Sequence, residues 1–455
     1  MKNQARQITE GVIWKQLLLF FFPILMGSFF QQMYNTVDTI IVGRFVGTEA
    51  LASVGAAGPI ISLINGFFLG VSSGATVILA QFYGAGDHQG ISDAVHTGMA
   101  LAIAIGLCVM GIGMGAAPWI LELIGTPASC MEGAMTYSRI YFSGAVASMI
   151  YNMGSGLLRA MGDSKRPMVF LIWACVVNIV LDLVFVVGLG LGVAGVGIAT
   201  VLSQVVSAVL VLGSLMRLPG DERLEGRKLR FHGNLLKNIL CVGVPAGLQY
   251  VMFDVSNLII QAGINSFGDI AVAAWTAYGK IDVTWMIVSA FGVSVTTFVG
   301  QNFGAQKYDR VRRSVWVCMG MSVSLIAVLS TLMILFRQFI LGIYTTDPEV
   351  IHIGGKMMLY IVVFNVLFMP VEVFAGAMRG TGYSVVPTLV TCVCVCLLRM
   401  VWVLTVVTKW HSLLSLCLAY PVSWGLCSLV FLAVYLKGDW LHKRIEALGM
   451  EPENR

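Results

Sequence analysis

Long apolar runs, separated by short polar or Gly- and Pro-containing stretches, organise this chain of 455 residues. Twelve runs are long enough to cross a bilayer as helices, which takes about 20 apolar residues. The first six are 17–43, 51–80, 94–118, 134–157, 168–190 and 194–216; the second six are 238–264, 271–299, 314–336, 355–378, 386–407 and 413–436. The runs are apolar all round, so length rather than an amphipathic period carries the helical assignment. The roughly ten-residue alternation of barrel strands is absent. The pattern predicts an all-α integral membrane protein with twelve transmembrane helices. Composition agrees. Charged residues make up 11% of the chain, against about 25% in soluble domains, hydrophobic ones 58%, and the mean hydropathy is +0.86.

One polar stretch breaks the pattern halfway along. RLPGDERLEGRKLRFHGNLLK (217–237) reads as a solvated cytoplasmic linker, whose basic residues can touch anionic lipid. It divides an N-lobe (1–216) from a C-lobe (238–437), and 438–455 form a tail. Charge then supplies a direction. The segments on the side of the termini hold 21 of the 28 Lys and Arg, and the opposite loops hold five. The cytoplasmic bias of Lys and Arg puts both termini inside the cell membrane. The net charge of +5 follows from these loops and implies no nucleic-acid partner. Lys2, Arg6 and Lys15 before LLLFFF resemble the start of a signal peptide, but the apolar run continues to Val42 without a small-residue cleavage site. It reads as a retained first span. The ten cysteines include no CxxC pair and lie mostly in apolar runs, where they act as small packing residues.

The chain also repeats itself. AQFYGA (80–85) aligns with GQNFGA (300–305), and LRAMGDSKRP (158–167) with MRGTGYSVVP (378–387), both at an offset of 220. Pro23 and Asn35 match Pro245 and Asn257 at 222, and a two-residue deletion near GVSSGATVILA reconciles the registers. Six spans per repeat is an even number, so the repeats are expected to be parallel, related by a pseudo-two-fold axis along the membrane normal. The repeated Arg159 and Arg379 end their spans, Gly162 and Gly382 allow a tight turn, and Pro167 and Pro387 begin the next helix.

Candidate chemistry lies in charges placed inside spans, each costing roughly 2.5–3.5 kcal/mol on insertion scales. Seven lie away from the outer span ends that hold Arg139 and Lys356: Asp38, Asp182, Asp254, Lys280, Asp282, Glu372 and Arg399. In the N-lobe, Gln31, Asn35 and Asp38 share one face of span one. Asn178 and Asp182 share a face of span five, Asn152 lies in span four and Thr200 in span six. No buried base accompanies Asp38 and Asp182 there. Two carboxylates with neutral oxygen donors suit a monovalent cation, or a shared proton, since two close carboxylates cannot both stay charged. A static hydrogen-bonded core is the alternative. The C-lobe charges, Asp254, Lys280, Asp282, Glu372 and Arg399, have both signs. They read equally as a structural network or as part of a site for a cationic organic substrate.

Together, the two six-helix lobes, the mid-chain linker, GQNFGA and LRAMGD/MRGTG resemble the multidrug and toxic compound extrusion (MATE) family over roughly residues 10–440. The resemblance implies a secondary antiporter, functional as a monomer, that exports organic, cationic or lipophilic compounds in exchange for Na⁺ or H⁺. It implies no other cofactor. By position, Asp38, Asn178, Asp182 and Thr200 resemble the family's N-lobe cation ligands, which makes Na⁺ a candidate metal there. Asn152 resembles a neighbouring polar residue, Pro23 the proline at which helix one bends, and Asp254 the seventh-span acid. Glu372 does not line up with the tenth-span aspartate of one branch of the family, measured back from Arg379. A lipid-linked-precursor flippase of the same superfamily is the alternative, disfavoured by the acidic interior. An enzyme is not expected. GVSSG (70–74) matches GxSxG but lacks the strand–turn–helix context that motif needs, and all six histidines fall in or near the expected loops.

Overall fold

The computed structural model describes residues 8–123, 125–437 and 440–447. Lys2, Arg6 and residues 438–439 and 448–455 of the expected tail lie outside the described residues. Every regular element among them is helical. The helices are α1 (Ile13–Ile41), α2 (Thr48–Ala85), α3 (His88–Leu123), α4 (Ala128–Ser143), α5 (Ala145–Ala160), α6 (Lys165–Asp182), α7 (Gly192–Met216) and α8 (Gly233–Asn265). They continue as α9 (Asp269–Ile281), α10 (Thr284–Gly304), α11 (Tyr308–Leu335), α12 (Arg337–Gly342), α13 (Pro348–Ile361) and α14 (Met369–Gly380). The last are α15 (Val385–Thr391), α16 (Leu398–Trp402), α17 (Leu413–Cys417), α18 (Ala419–Lys437) and α19 (Trp440–Ala447).

Eleven helical stretches among the described residues are long and apolar enough to cross a membrane. The expected fourth span is instead two 16-residue helices, α4 and α5, that meet at Gly144. The expected eighth span also breaks, at Asp282 and Val283 between α9 and α10. The helices gather into two compact units, one holding Leu19–Gly247 and the other Leu248–Arg455 with Glu10–Leu18.

Within unit 1, α2 and α8 approach at glycines. A Cβ on Gly70 would stand 2.2 Å from the Gly247 nitrogen, and one on Gly74 2.3 Å from the Ile239 carbonyl oxygen. Small residues four apart let two helix backbones touch. That contact explains GVSSG: the motif lies mid-helix in α2 and serves packing, not nucleophilic chemistry.

The sequence repeat appears as repeated local geometry. After α2, Gly86 takes φ +70°, and Asp87 N donates to the Phe82 carbonyl at 3.1 Å. After α10, 220 residues on, Gln306 takes φ +57°, and Lys307 N donates to the Asn302 carbonyl at 2.9 Å. Gly162 and Gly382, at φ +91° and +81°, close the second pair of turns onto the Arg159 and Arg379 carbonyls at 2.9 and 2.8 Å. Pro167 and Pro387 are each the third residue of the helix that follows, where no intrahelical N–H is needed.

The linker differs from its expectation. It is strapped onto unit 1 rather than fully solvated. Leu218 and Leu224 are buried, and Leu224 N donates to the Leu215 carbonyl at 3.1 Å. The strap holds partly through His96, which is helical and buried in α3, not in a loop. Its Nε2 accepts from Glu225 N at 3.0 Å. His88, His352 and His442 are likewise helical, each within the first turn or two of its helix.

Candidate functional site

In unit 1, α1, α6 and α7 each bring one part of the expected site. Asp38 stands three residues before the end of α1, and its carboxyl faces those of Asp182 and the amide of Asn178. Asn178 and Asp182, one turn apart, occupy the buried face of α6, both fully buried; Thr200 of α7 is 1% exposed. Tyr137 of α4 reaches Thr200, and Tyr34 of α1 lies within electrostatic range of both carboxyls. Both acid-bearing helices change winding beside the site. α1 passes into a π-helical turn at Val42–Val46, and α6 does so at Leu183–Gly188, directly after Asp182. Such turns disturb the regular backbone ladder and recur at functional sites.

The polar atoms here are unsatisfied. Asp38 Oδ1, both Asp182 oxygens, both Asn178 side-chain heteroatoms and Thr200 Oγ1 are buried without a hydrogen-bond partner among the described residues. Neither aspartate has an ion-pair partner among those residues. Ionised carboxylates only accept hydrogen bonds, so two that face each other need a shared proton or a cation between them. The amide and hydroxyl oxygens add neutral donors of the kind that hard cations take.

The rest of the N-lobe set is not part of this cluster. Gln31 and Asn35 are exposed on α1. Asn152 Nδ2 donates to Ser148 Oγ, one turn back in α5, at 3.5 Å. Pro23 is buried inside α1, where its ring removes one rung of the helix ladder.

Unit 2 divides its charges among separate surroundings. Asp254 is half-buried on α8. Lys280 is exposed near the end of α9, beside the helix break, which corrects its reading as a buried charge. Asp282 sits at that break and caps α10. It accepts from Thr284 N at 3.0 Å, from the Thr284 hydroxyl and from the Tyr278 hydroxyl at 2.9 Å. Glu372 pairs with Arg379, two turns along α14, at 3.4 Å, and Arg379 donates to Gln249 Oε1 at 3.2 Å. These three side chains, with Phe253, Trp285 and Ser289, line a small pocket of about 40 Å³. Arg399 is buried at 3% exposure. Its guanidinium carbon lies 4.2 Å from the Tyr420 ring centre, and Nε donates to Ser423 Oγ at 3.0 Å.

Sequence reasoning missed Arg379, which it read only as the end of a span; its i,i+7 spacing from Glu372 was the available signal. It also missed Tyr34, Tyr137 and the Phe253 and Trp285 wall, where nothing separates these aromatics from packing residues.

Helices of membrane length, with a facing pair of acids among them, define a multi-pass membrane protein. The MatE family model matches residues 23–184 and again 245–405, so the chain belongs to this family of transporters, and it is not an enzyme. It is 27% identical over 96% of both chains to "Probable multidrug resistance protein YoeA" of Bacillus subtilis. It is 28% identical to "Probable multidrug resistance protein YpnP" of the same organism, over 83% of this chain and 85% of that one. Its fold matches a crystal structure of MATE in complex with MaD3S at TM-score 0.88 and 22% identity, covering 97% and 98% of the two chains.

Proposed function

We propose that the chain is a monomeric antiporter of the cell membrane, with both termini cytoplasmic, that exports organic cationic or lipophilic compounds in exchange for Na⁺ or H⁺. One observation carries this reading: half-buried Asp38 and fully buried Asp182 face each other with no basic partner among the described residues. A static core would gain by losing such a pair, since each unpaired acid costs a few kcal/mol in a membrane. Asn178 and Thr200 complete the coordination of a cation that comes and goes. Binding holds α1 against α6, and release lets them separate. Export follows when the cation and the exported compound favour different conformations of the chain; equal preference would drive nothing.

The pocket of unit 2 supplies a place for the exported compound. Trp285 stacks on Phe368 at 5.6 Å and meets Phe253 edge-on at 6.0 Å, which suits a flat apolar body, while Glu372 suits its positive group. A flippase for anionic lipid precursors calls for a basic interior, and the acidic pair of unit 1 does not provide one. The test is efflux of a fluorescent organic cation from proteoliposomes under imposed Na⁺ and pH gradients. Asp38→Asn should abolish gradient-driven efflux; efflux equal to native under both gradients would refute the coupling role.

A further inference from the structure

The two repeats use the same helix face in opposite ways. In unit 1, α6 is regular through Asp182 and buries Ala174, Cys175, Asn178 and Asp182. Its counterpart in unit 2 starts as α15 and then winds as a π-helix at Cys392–Leu397. A π turn takes in an extra residue, so each later residue moves onto the face its predecessor would have held. The burial pattern records this shift. Cys394 and Val395 are buried 220 residues after Ala174 and Cys175, whereas Arg399, Val403 and Val407 are buried 221 residues after Asn178, Asp182 and Val186. Arg399 therefore takes the face that Asn178 holds in unit 1.

The helix it meets is also a counterpart. Thr200 and Ser203 of α7 correspond to Tyr420 and Ser423 of α18 at an offset of 220. Ser203 Oγ donates to the Thr200 carbonyl at 2.8 Å, and Ser423 Oγ to the Tyr420 carbonyl at 2.9 Å. Arg399 rests on this face, with Nε on Ser423 and its guanidinium over the Tyr420 and Trp424 rings at 4.2 and 5.6 Å. The counterpart of Asp38 is Ile260, buried at 1% exposure. Among the described residues no carboxylate forms an ion pair with Arg399. The acids of unit 1 are thus replaced by two apolar residues, Ile260 and Val403, and a cation already rests on the neighbouring ring faces.

We infer that Arg399 is a tethered cation filling, in unit 2, the place where unit 1 takes an exchangeable one. A guanidinium is charged at any working pH, and aromatic faces hold it without a counter-ion. The chain then exchanges cations at one site only, and unit 2 is permanently loaded. This inference rests on the cation role proposed for Asp38 and Asp182.

Two measurements test it. In the first, cations bound per purified chain are counted as radiolabelled Na⁺ and, in Na⁺-free buffer, as proton uptake. One per native chain and none in Asp38→Asn supports the inference. Two, with one surviving in Asp38→Asn, leaves the unit 1 reading standing and overturns the tethered cation alone. Equal counts in native and Asp38→Asn overturn both. In the second, Arg399→Ala should lower efflux about tenfold, with ethylguanidinium restoring it and the neutral isostere N-ethylurea failing to do so. Restoration by both compounds, or native efflux without either, overturns the role of the charge. If Arg399→Ala does not fold, Arg399→Lys against Arg399→Met makes the same comparison: equal efflux from both overturns it.

Discussion

Asp182→Asn separates a cation site from a structural core, because the two roles predict stability changes of opposite sign. Asp182 is fully buried and faces Asp38 with both oxygens lacking hydrogen-bond partners. Two unit charges 4 Å apart at an effective dielectric of about 20 interact by roughly 4 kcal/mol. An amide removes one charge at nearly constant shape. In cation-free buffer at a pH high enough to strip the shared proton, the variant escapes that repulsion and much of the burial cost, so its thermal midpoint should lie a few degrees above native. The same change removes one of the two charges that attract the cation. A loss of roughly 4 kcal/mol corresponds to about three decades in affinity. The assay is thermal unfolding of purified protein across a Na⁺ series at several pH values. Native protein should gain midpoint with cation, by about 2.7 kcal/mol at a hundredfold excess over Kd. Asp182→Asn should start higher and stay flat. A variant that starts lower and still responds to cation as native does would refute the reasoning.

Glu372→Gln leaves Arg379 without its ion pair in the pocket; with both side chains 13% exposed, the cost is about 1–2 kcal/mol. Binding of an organic cation, followed by fluorescence, should weaken more than binding of a neutral analogue. Asp282→Ala removes the cap of α10 and the acceptor for Tyr278, costing about 1–2 kcal/mol, read as a lower thermal midpoint with cation affinity unchanged. Gly70→Val cannot be accommodated at 2.2 Å from the Gly247 backbone, so it should lower the yield of folded protein; a native yield would show that α2 and α8 do not pack so closely. In the linker, a hydrogen bond from Lys228 holds the exposed Glu225 carboxyl below its usual range. A lowered value adds stability above the ordinary carboxylate range that is lost as pH falls through the folded value. Protease cleavage of the strap should therefore rise only in acid, and less steeply in Lys228→Met.

Much of the fold was legible because burial in lipid writes itself into run length. The repeat was legible because turns are chemically demanding: Gly162 and Gly382 must take positive φ, and the prolines tolerate few positions. The breaks were not. Gly144 and the Asp282–Val283 junction sit within apolar runs that read as continuous, and an apolar run alone does not reveal where the helix stops. Lys280 was misplaced for that reason. The acidic pair was legible as chemistry, because nothing in the N-lobe spans balances Asp38 and Asp182. Gln31, Asn35 and Asn152 were grouped with it by helical spacing, but spacing fixes a face of one helix and not which helix that face meets. The strap was hidden because its two anchoring leucines lie among charges, and a polar average outweighs them.

Duplication fixes a scaffold but leaves its chemistry free to diverge. The turns that close α2 and α10, and those that follow Arg159 and Arg379, match in positive φ, hydrogen bond and register. Where the repeats differ, they differ at a few interior positions: a helix break at Asp282 in one and none in α2 of the other, and a π turn before Arg399 but none before Asn178. These are changes of winding, and each re-aims a side chain by a whole face without disturbing the contacts at the helix ends. A one-residue shift is enough to put a guanidinium where the other repeat holds an amide beside two acids. If unit 1 exchanges its cation and unit 2 keeps one, only unit 1 changes charge during a cycle. Selection on the pocket formed by Glu372, Arg379 and the Trp285 wall can then vary what is exported while leaving the coupling ion untouched.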